Sequence, residues 1–381
     1  MPARTYMVVD PRRDHRFGIP RPDLSEKLNV PNACNTCHKD KSIQWAVGYF
    51  NKWYGAPKNG NENFGEIFYA ARKNEPGARD GLIRLIEDRG QSTIVRATAL
   101  SLLENYPNPA ALQTIRAGLG DPDPLMRSAS VGALNFLPPE NRVPLLSPLL
   151  NDSVLAVRVR AARMLAAAPR DQFSPETLIP LESALLEYEQ TQWINSDHPS
   201  AHLNLGNFYL DRGDFGAAEA AYRKAIELEP GYLLAYINLT DLYRAQDRDA
   251  DGERILRRAL EIDANYAPAN YTLGLLLIRR QEKEKALAYL RRAANLSPEN
   301  PRYSYVYGIA LNTLGKPAQA IAALEKALKS NPFDRDLLFS LAAIYRDRGA
   351  LKMAREYAKK LTAYYPENSN YRMLEQQLEN R

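Results

Sequence analysis

From Pro199 to Asn368 the chain repeats itself every 34 residues, five times over, without one insertion, and no other feature limits its fold so tightly. With Pro199 as position 1, position 8 reads Gly206, Thr240, Gly274, Gly308 and Ala342. Position 20 reads Ala218, Gly252, Ala286, Ala320 and Ala354, and position 11 reads Tyr209, Tyr243, Leu277, Leu311 and Tyr345. Small residues at 8 and 20 let two antiparallel helices approach closely, while large apolar residues at 7, 11 and 24 fill the space between them. Proline at position 32 (Pro230, Pro298, Pro332 and Pro366, with Ala264 in the second copy) ends the second helix of four of the five pairs.

This pattern resembles the tetratricopeptide repeat (TPR). The tail 369–381, with Tyr371, Leu374 and Leu378 at helical spacing, is expected to be the polar-faced capping helix that such an array needs at its end. A second period lies upstream. Ile94-Val95-Arg96, Leu125-Met126-Arg127 and Ala156-Val157-Arg158 recur 31 residues apart, each followed by a small residue (Ala99, Ser130, Ala161) and then a leucine (Leu103, Leu134, Leu165). These copies resemble HEAT repeats. The expected fold class is all-α, an extended arm followed by an α-solenoid. The expected organisation is a segment 1–75, HEAT-like repeats 76–182, a connecting helix 183–198, five TPRs over 199–368 and the cap 369–381.

Composition excludes several classes of function. Lys and Arg number 50 against 45 Asp and Glu, and the small excess sits in residues 1–58, with 10 basic and 5 acidic side chains. A nucleic-acid binder concentrates far more charge on one face, so no nucleic acid is expected. No apolar run approaches the ~18–20 residues of a membrane span. There is no glycine-rich phosphate loop, nucleophile elbow or helical zinc-protease motif, so no catalytic residues are assigned.

One motif carries chemistry. Cys34-Asn35-Thr36-Cys37-His38 holds both cysteines of the chain, followed at once by a histidine. Thiols at i and i+3 can each add across a vinyl group of one porphyrin, and the next imidazole can then reach the iron. The spacing therefore predicts haem c attached through Cys34 and Cys37, with His38 as proximal ligand. A zinc site using His15, and idle thiols, are the alternatives weighed. His15 is the candidate for the sixth iron position, with Met7 a weaker one.

Around the motif, Thr5–Pro11, Asp14-His15-Arg16-Phe17, Pro20–Ser25 and Pro31–Cys34 are similar to the multihaem c-type cytochromes with doubled CxxCH motifs, in which haem modules precede HEAT and TPR repeats. The resemblance implies that the chain is the C-terminal portion of a longer exported cytochrome, with Met1 an internal methionine. It also implies a location outside the cytoplasm and a redox partner or neighbouring haem module. Three functions follow as expectations: an electron-transfer cytochrome with a docking scaffold, the C-terminal part of a multihaem reductase, or a scaffold without cofactor. In each, the concave TPR face is expected to take a protein or peptide. Position 5 (Leu203, Ile237, Tyr271, Tyr305, Phe339) is expected to form its floor, with packing against the next repeat the alternative for Leu203 and Ile237, flanked by Asn207, Asp241, Arg244, Asn312 and Arg346. Tyr271, Tyr305 and Phe339 are the expected anchors.

Overall fold

The computed structural model describes residues 3–6, 10–13, 20–55 and 63–380, which divide into two compact units, 1–72 and 73–381. In the first unit, β1 (Ala3–Tyr6) and β2 (Asp10–Arg13) pair antiparallel, Ala3 opposite Arg13. A two-stranded antiparallel sheet thus stands where the sequence suggests only an extended arm, and cross-strand pairing satisfies backbone groups that an isolated extended chain would leave to water. Four helices follow: α1 (Pro22–Leu28), α2 (Ala33–Cys37), α3 (Ile43–Tyr54) and α4 (Phe64–Arg72). Ser42 caps α3 by accepting from the Trp45 amide at 3.1 Å. Ala46 is the buried point of that helix, and Lys27 on α1 pairs with Glu66 on α4 at 2.7 Å.

The second unit opens with the HEAT repeats: α5 (Ala78–Glu87), α6 (Thr93–Leu103), α7 (Pro109–Gly118), α8 (Pro124–Ala133), α9 (Pro139–Leu146), α10 (Leu155–Leu165) and α11 (Pro175–Trp193). Helices α6, α8, α10 and α11 pack in succession, with α5, α7 and α9 against them. The 31-residue recurrence in the sequence is an arginine ladder between repeats. Arg96 bonds Asp121 at 3.2 Å, Arg127 grips Asp152 through two bonds of 2.6 and 2.9 Å, and Arg158 grips Glu187 at 3.0 and 2.9 Å. Arg96 also donates to the Ile86 carbonyl at the end of α5, and Arg127 and Arg158 donate to the backbone carbonyls of Asp121 and Asp152, the acids of the rung before, so each turn is held by its neighbour.

The TPR helices follow in pairs: α12 (Pro199–Asp211) with α13 (Phe215–Leu228), α14 (Leu233–Ala245) with α15 (Asp249–Ile262), and α16 (Ala267–Arg279) with α17 (Lys283–Leu296). Then come α18 (Pro301–Thr313) with α19 (Pro317–Ser330), α20 (Arg335–Asp347) with α21 (Leu351–Tyr364), and the cap α22 (Ser369–Glu379). A Cβ on Gly206 would lie 2.3 Å from the Tyr222 ring, and one on Gly274 or Gly308 2.7 Å from Leu290 or Leu324. Position 8 is small because position 24 of the partner helix fills the space beside it. Between the two helices of every pair, position 15 adopts a left-handed backbone: Gly213, Asp247, Gln281, Gly315 and Gly349, with φ of 78, 56, 63, 71 and 75°. The following amide bonds the position-11 carbonyl at 2.8–2.9 Å in all five pairs, which stops the first helix and turns the chain.

Helix α11 joins the arrays. It runs unbroken across 182/183 and serves both sides. Glu187 takes the last arginine of the HEAT ladder, and Glu189 accepts the Tyr209 hydroxyl at 2.5 Å from the first TPR helix. The Tyr188 and Phe208 rings lie 5.1 Å apart, and Arg163 reaches Asp211 at 2.5 Å. Within the TPRs, Tyr243 bonds Glu219 and Tyr345 bonds Glu325, both at 2.8 Å, so Glu189 stands where a preceding repeat would supply its glutamate. Among the described residues no helix is long and apolar enough to cross a membrane.

Candidate functional site

The first helices of the TPR pairs bring the position-5 side chains into one line, and these divide into two kinds. Leu203 is 6% exposed and belongs to the core, with Ile237 packed partly buried against it. Tyr271 and Tyr305 are half-buried beside the second core cluster, and Phe339 is 45% exposed. The open floor is therefore in the third to fifth repeats.

There the rings pair by a rule of the repeat. Tyr271, at position 5, meets Tyr303 at position 3 of the next repeat with centroids 4.7 Å apart. Phe339 meets Tyr371 of the cap in the same relation at 6.3 Å. Arg302, at position 2, lies 5.2 Å over the Tyr305 ring, and its hydrogen bond with Tyr271 raises its pKa. Arg302, Tyr303 and Tyr371 are residues that the position-5 pattern alone passes over; an aromatic at position 3 of the fourth repeat and at the matching place of the cap was the available signal.

The polar rim is less uniform than the sequence suggests. The Asn207 carboxamide oxygen accepts from the Tyr222 hydroxyl at 2.7 Å and from Asn238 at 2.8 Å, so that side chain is spent on the framework. Arg244 is exposed and its guanidinium leans on Asp241 at 3.3 Å, while Arg346 pairs with its neighbour Asp347 at 2.9 Å. Among the described residues both arginines bond only acids on their own helix. His202 packs inside, bonded to the Ser196 carbonyl at 2.9 Å, and Tyr236 and Asn270 reach the carbonyl six residues back from the same position.

The expectation of a haem is corrected. Asn32 caps α2 by accepting from the Asn35 amide, and the helix ends as the His38 amide bonds the Cys34 carbonyl at 2.9 Å. Cys34 and Cys37 are free thiols on this single turn, Cys37 and His38 are exposed, and so are Lys39, Asp40 and Lys41 after them. The His38 ring rests on Trp45 at 4.9 Å, and Trp45, Tyr49 and Trp53 continue along α3 at 5.0 and 5.6 Å. Trp53 is 67% exposed, which places it outside any core. A porphyrin needs an apolar slot around its ring, and this motif faces charge and solvent instead. Among the described residues no group of three or more His, Cys, Asp or Glu could hold a metal ion. The second candidate ligand, His15, and Met7 lie outside the described residues.

Comparison with known families agrees with the repeats. The profile of HEAT repeats matches 79–167, and that of the tetratricopeptide repeat matches 199–232, with a second tetratricopeptide profile over 308–369. Residues 251–327, between these two, match the profile of anaphase-promoting complex, cyclosome, subunit 3. A search of the curated proteins gave no match. Among solved structures, MamA is 26% identical over 44% of this chain and 98% of its own, with a TM-score of 0.38. The pilF protein of Pseudomonas aeruginosa is 26% identical over 47% and 82%, at 0.41. YrrB, described as a TPR protein with an unusual peptide-binding site, is 20% identical over 50% and 97%, at 0.38. This chain carries HEAT and TPR repeats in an all-α solenoid, the architecture of a protein-interaction scaffold.

Proposed function

We propose that the protein is a scaffold that holds an extended or helical segment of a partner protein along the concave face of its third to fifth TPRs. The observation that carries this reading is the pair of aromatic steps, Tyr271 against Tyr303 and Phe339 against Tyr371, with Arg302 over Tyr305 between them. Tyrosine offers an apolar face and a hydroxyl together, which suits a partner anchored by apolar side chains with its backbone still hydrogen-bonded. The pattern of Lys and Arg that grips a terminal carboxylate in chaperone-binding arrays is missing from these positions, so an internal segment fits better than a chain end. The HEAT repeats and α11 give the groove a stiff base, because their arginine ladder ties each repeat to the next.

Selection of peptides from a random library against the full chain tests the reading. Selected sequences should carry aromatic or aliphatic anchors, and Tyr271→Ala with Tyr305→Ala should weaken their binding by about 2–4 kcal/mol, as loss of interface hot spots does. The melting temperature should change little, since both rings are only half-buried. Binding that survives the double change, or a large fall in stability, would assign these tyrosines to the core.

A further inference from the structure

The two ends of the second unit meet. Arg79, on the first HEAT helix α5, donates through Nη1 to Glu367 Oε2 at 2.7 Å, and Asn108 Nδ2 at the head of α7 reaches the same oxygen at 3.4 Å. Glu367 sits in the turn between α21 and α22, so a bond spanning 288 residues closes the array on itself. Among the described residues neither α5 nor α7 packs along α20, α21 or α22. Side chains and turns make the closure. Beside it lies a cleft of about 880 Å³, walled by Tyr106 from the HEAT side and by Asp334, Asp336, Tyr365 and Tyr371 from the TPR side.

Two wall residues also belong to the groove. Asp336 is position 2 of the fifth repeat, and Tyr371 carries the ring that meets Phe339. The C-terminal end of the groove therefore runs into the closure. Glu367 is 63% exposed and Arg79 25% exposed. An ion pair so open to water is weak and is screened by salt, so it holds the ends together without welding them. Among the described residues Glu367 accepts the bonds from both Arg79 and Asn108, so one carboxylate joins two points of the HEAT side.

We propose that Glu367 is a latch: its bonds to Arg79 and Asn108 hold the solenoid closed, and their release opens the C-terminal mouth of the groove to a partner segment. What the latch controls rests on the groove reading, but the latch itself is tested with no partner present. Nitroxide labels at Arg116→Cys on α7 and Arg372→Cys on α22, both exposed helix positions, report the distance between the ends by pulsed electron paramagnetic resonance. Cys34→Ser and Cys37→Ser remove competing thiols. The full chain with Glu367 intact should give one short distance population at low salt. Glu367→Gln should shift part of it to longer distances, Glu367→Arg should shift most of it, and 1 M salt should move the unsubstituted chain towards the Gln variant. Circular-dichroism melts of the variants should match that of the parent, since Glu367 lies in an exposed turn. Identical distance distributions in all three chains and at both salt concentrations would overturn the proposal and assign the closure to the curvature of the repeats. A parent chain already broad at low salt would overturn it as well.

Discussion

At the scale of single residues, position 8 of the TPRs shows how a missing side chain sets the geometry of a helix pair. Tyr222 is fully buried, and its hydroxyl is fixed by Asn207, so the ring cannot swing away from a methyl group added at Gly206. Alanine is the better helix former by up to about 1 kcal/mol, yet overpacking in a filled core costs about 1–3 kcal/mol. The steric cost should win, and Gly206→Ala should lower stability in urea denaturation by about 1–2 kcal/mol. A gain in stability would mean that α12 and α13 are less closely packed than described. The glycine at this position was legible in the sequence because it recurs at 206, 274 and 308. The left-handed position 15 was less so, since Asp247 and Gln281 occupy it in two repeats and hide the glycine signature of the other three.

At the scale of elements, the HEAT ladder should make the stability of the fold depend on pH. Arg127 holds the Asp152 carboxyl below the usual carboxylate range, chiefly through its hydrogen bonds, and Arg158 does the same for Glu187. A carboxyl whose pKa is depressed by folding contributes stability that is fully present above the ordinary carboxylate value. That contribution fades as pH falls through the lower folded value. Asp152→Asn keeps an acceptor for the Val154 amide but loses the charge that Arg127 grips. The difference in urea midpoint between the parent and this variant should be constant above about pH 5 and should close by about pH 2–3. A difference that persists unchanged into acid would show that the charge of Asp152 does not hold α8 to α10.

The arginines of this ladder were visible in the sequence as a 31-residue recurrence, and Asp121 and Asp152 share that period, but Glu187 breaks it and the spacing does not show which acid each arginine grips. The motif at Cys34 failed in the opposite way. Its spacing is specific, yet spacing says nothing of the surroundings, and there the structure sets exposed Lys39, Asp40 and Lys41 beside the thiols instead of an apolar pocket.

At the scale of the whole molecule, the second unit is continuous from α5 to α22 because α11 acts as the last HEAT helix and as a substitute for a repeat preceding the first TPR. A periodic sequence reveals such arrays readily, since every copy restates the same packing problem. It does not reveal where the ends go. The contact of Glu367 with Arg79 joins residues that no period relates, and it depends on small rotations accumulated over every repeat between them. The groove was legible as a line of position-5 residues, but the division into a closed N-terminal part and an open aromatic part depends on burial. Leu203 and Ile237 are of the same chemical class as many binding anchors, and only their neighbours assign them to the core.

The central claim is that partner segments lie along the concave face of α16, α18 and α20. Hydrogen–deuterium exchange of the full chain, with and without a library-selected peptide, tests it most directly. Added protection is expected within 267–279, 301–313 and 335–347, with the HEAT helices α6, α8 and α10 unchanged. Protection confined to the HEAT helices, or to 43–54 in the first unit, would contradict it.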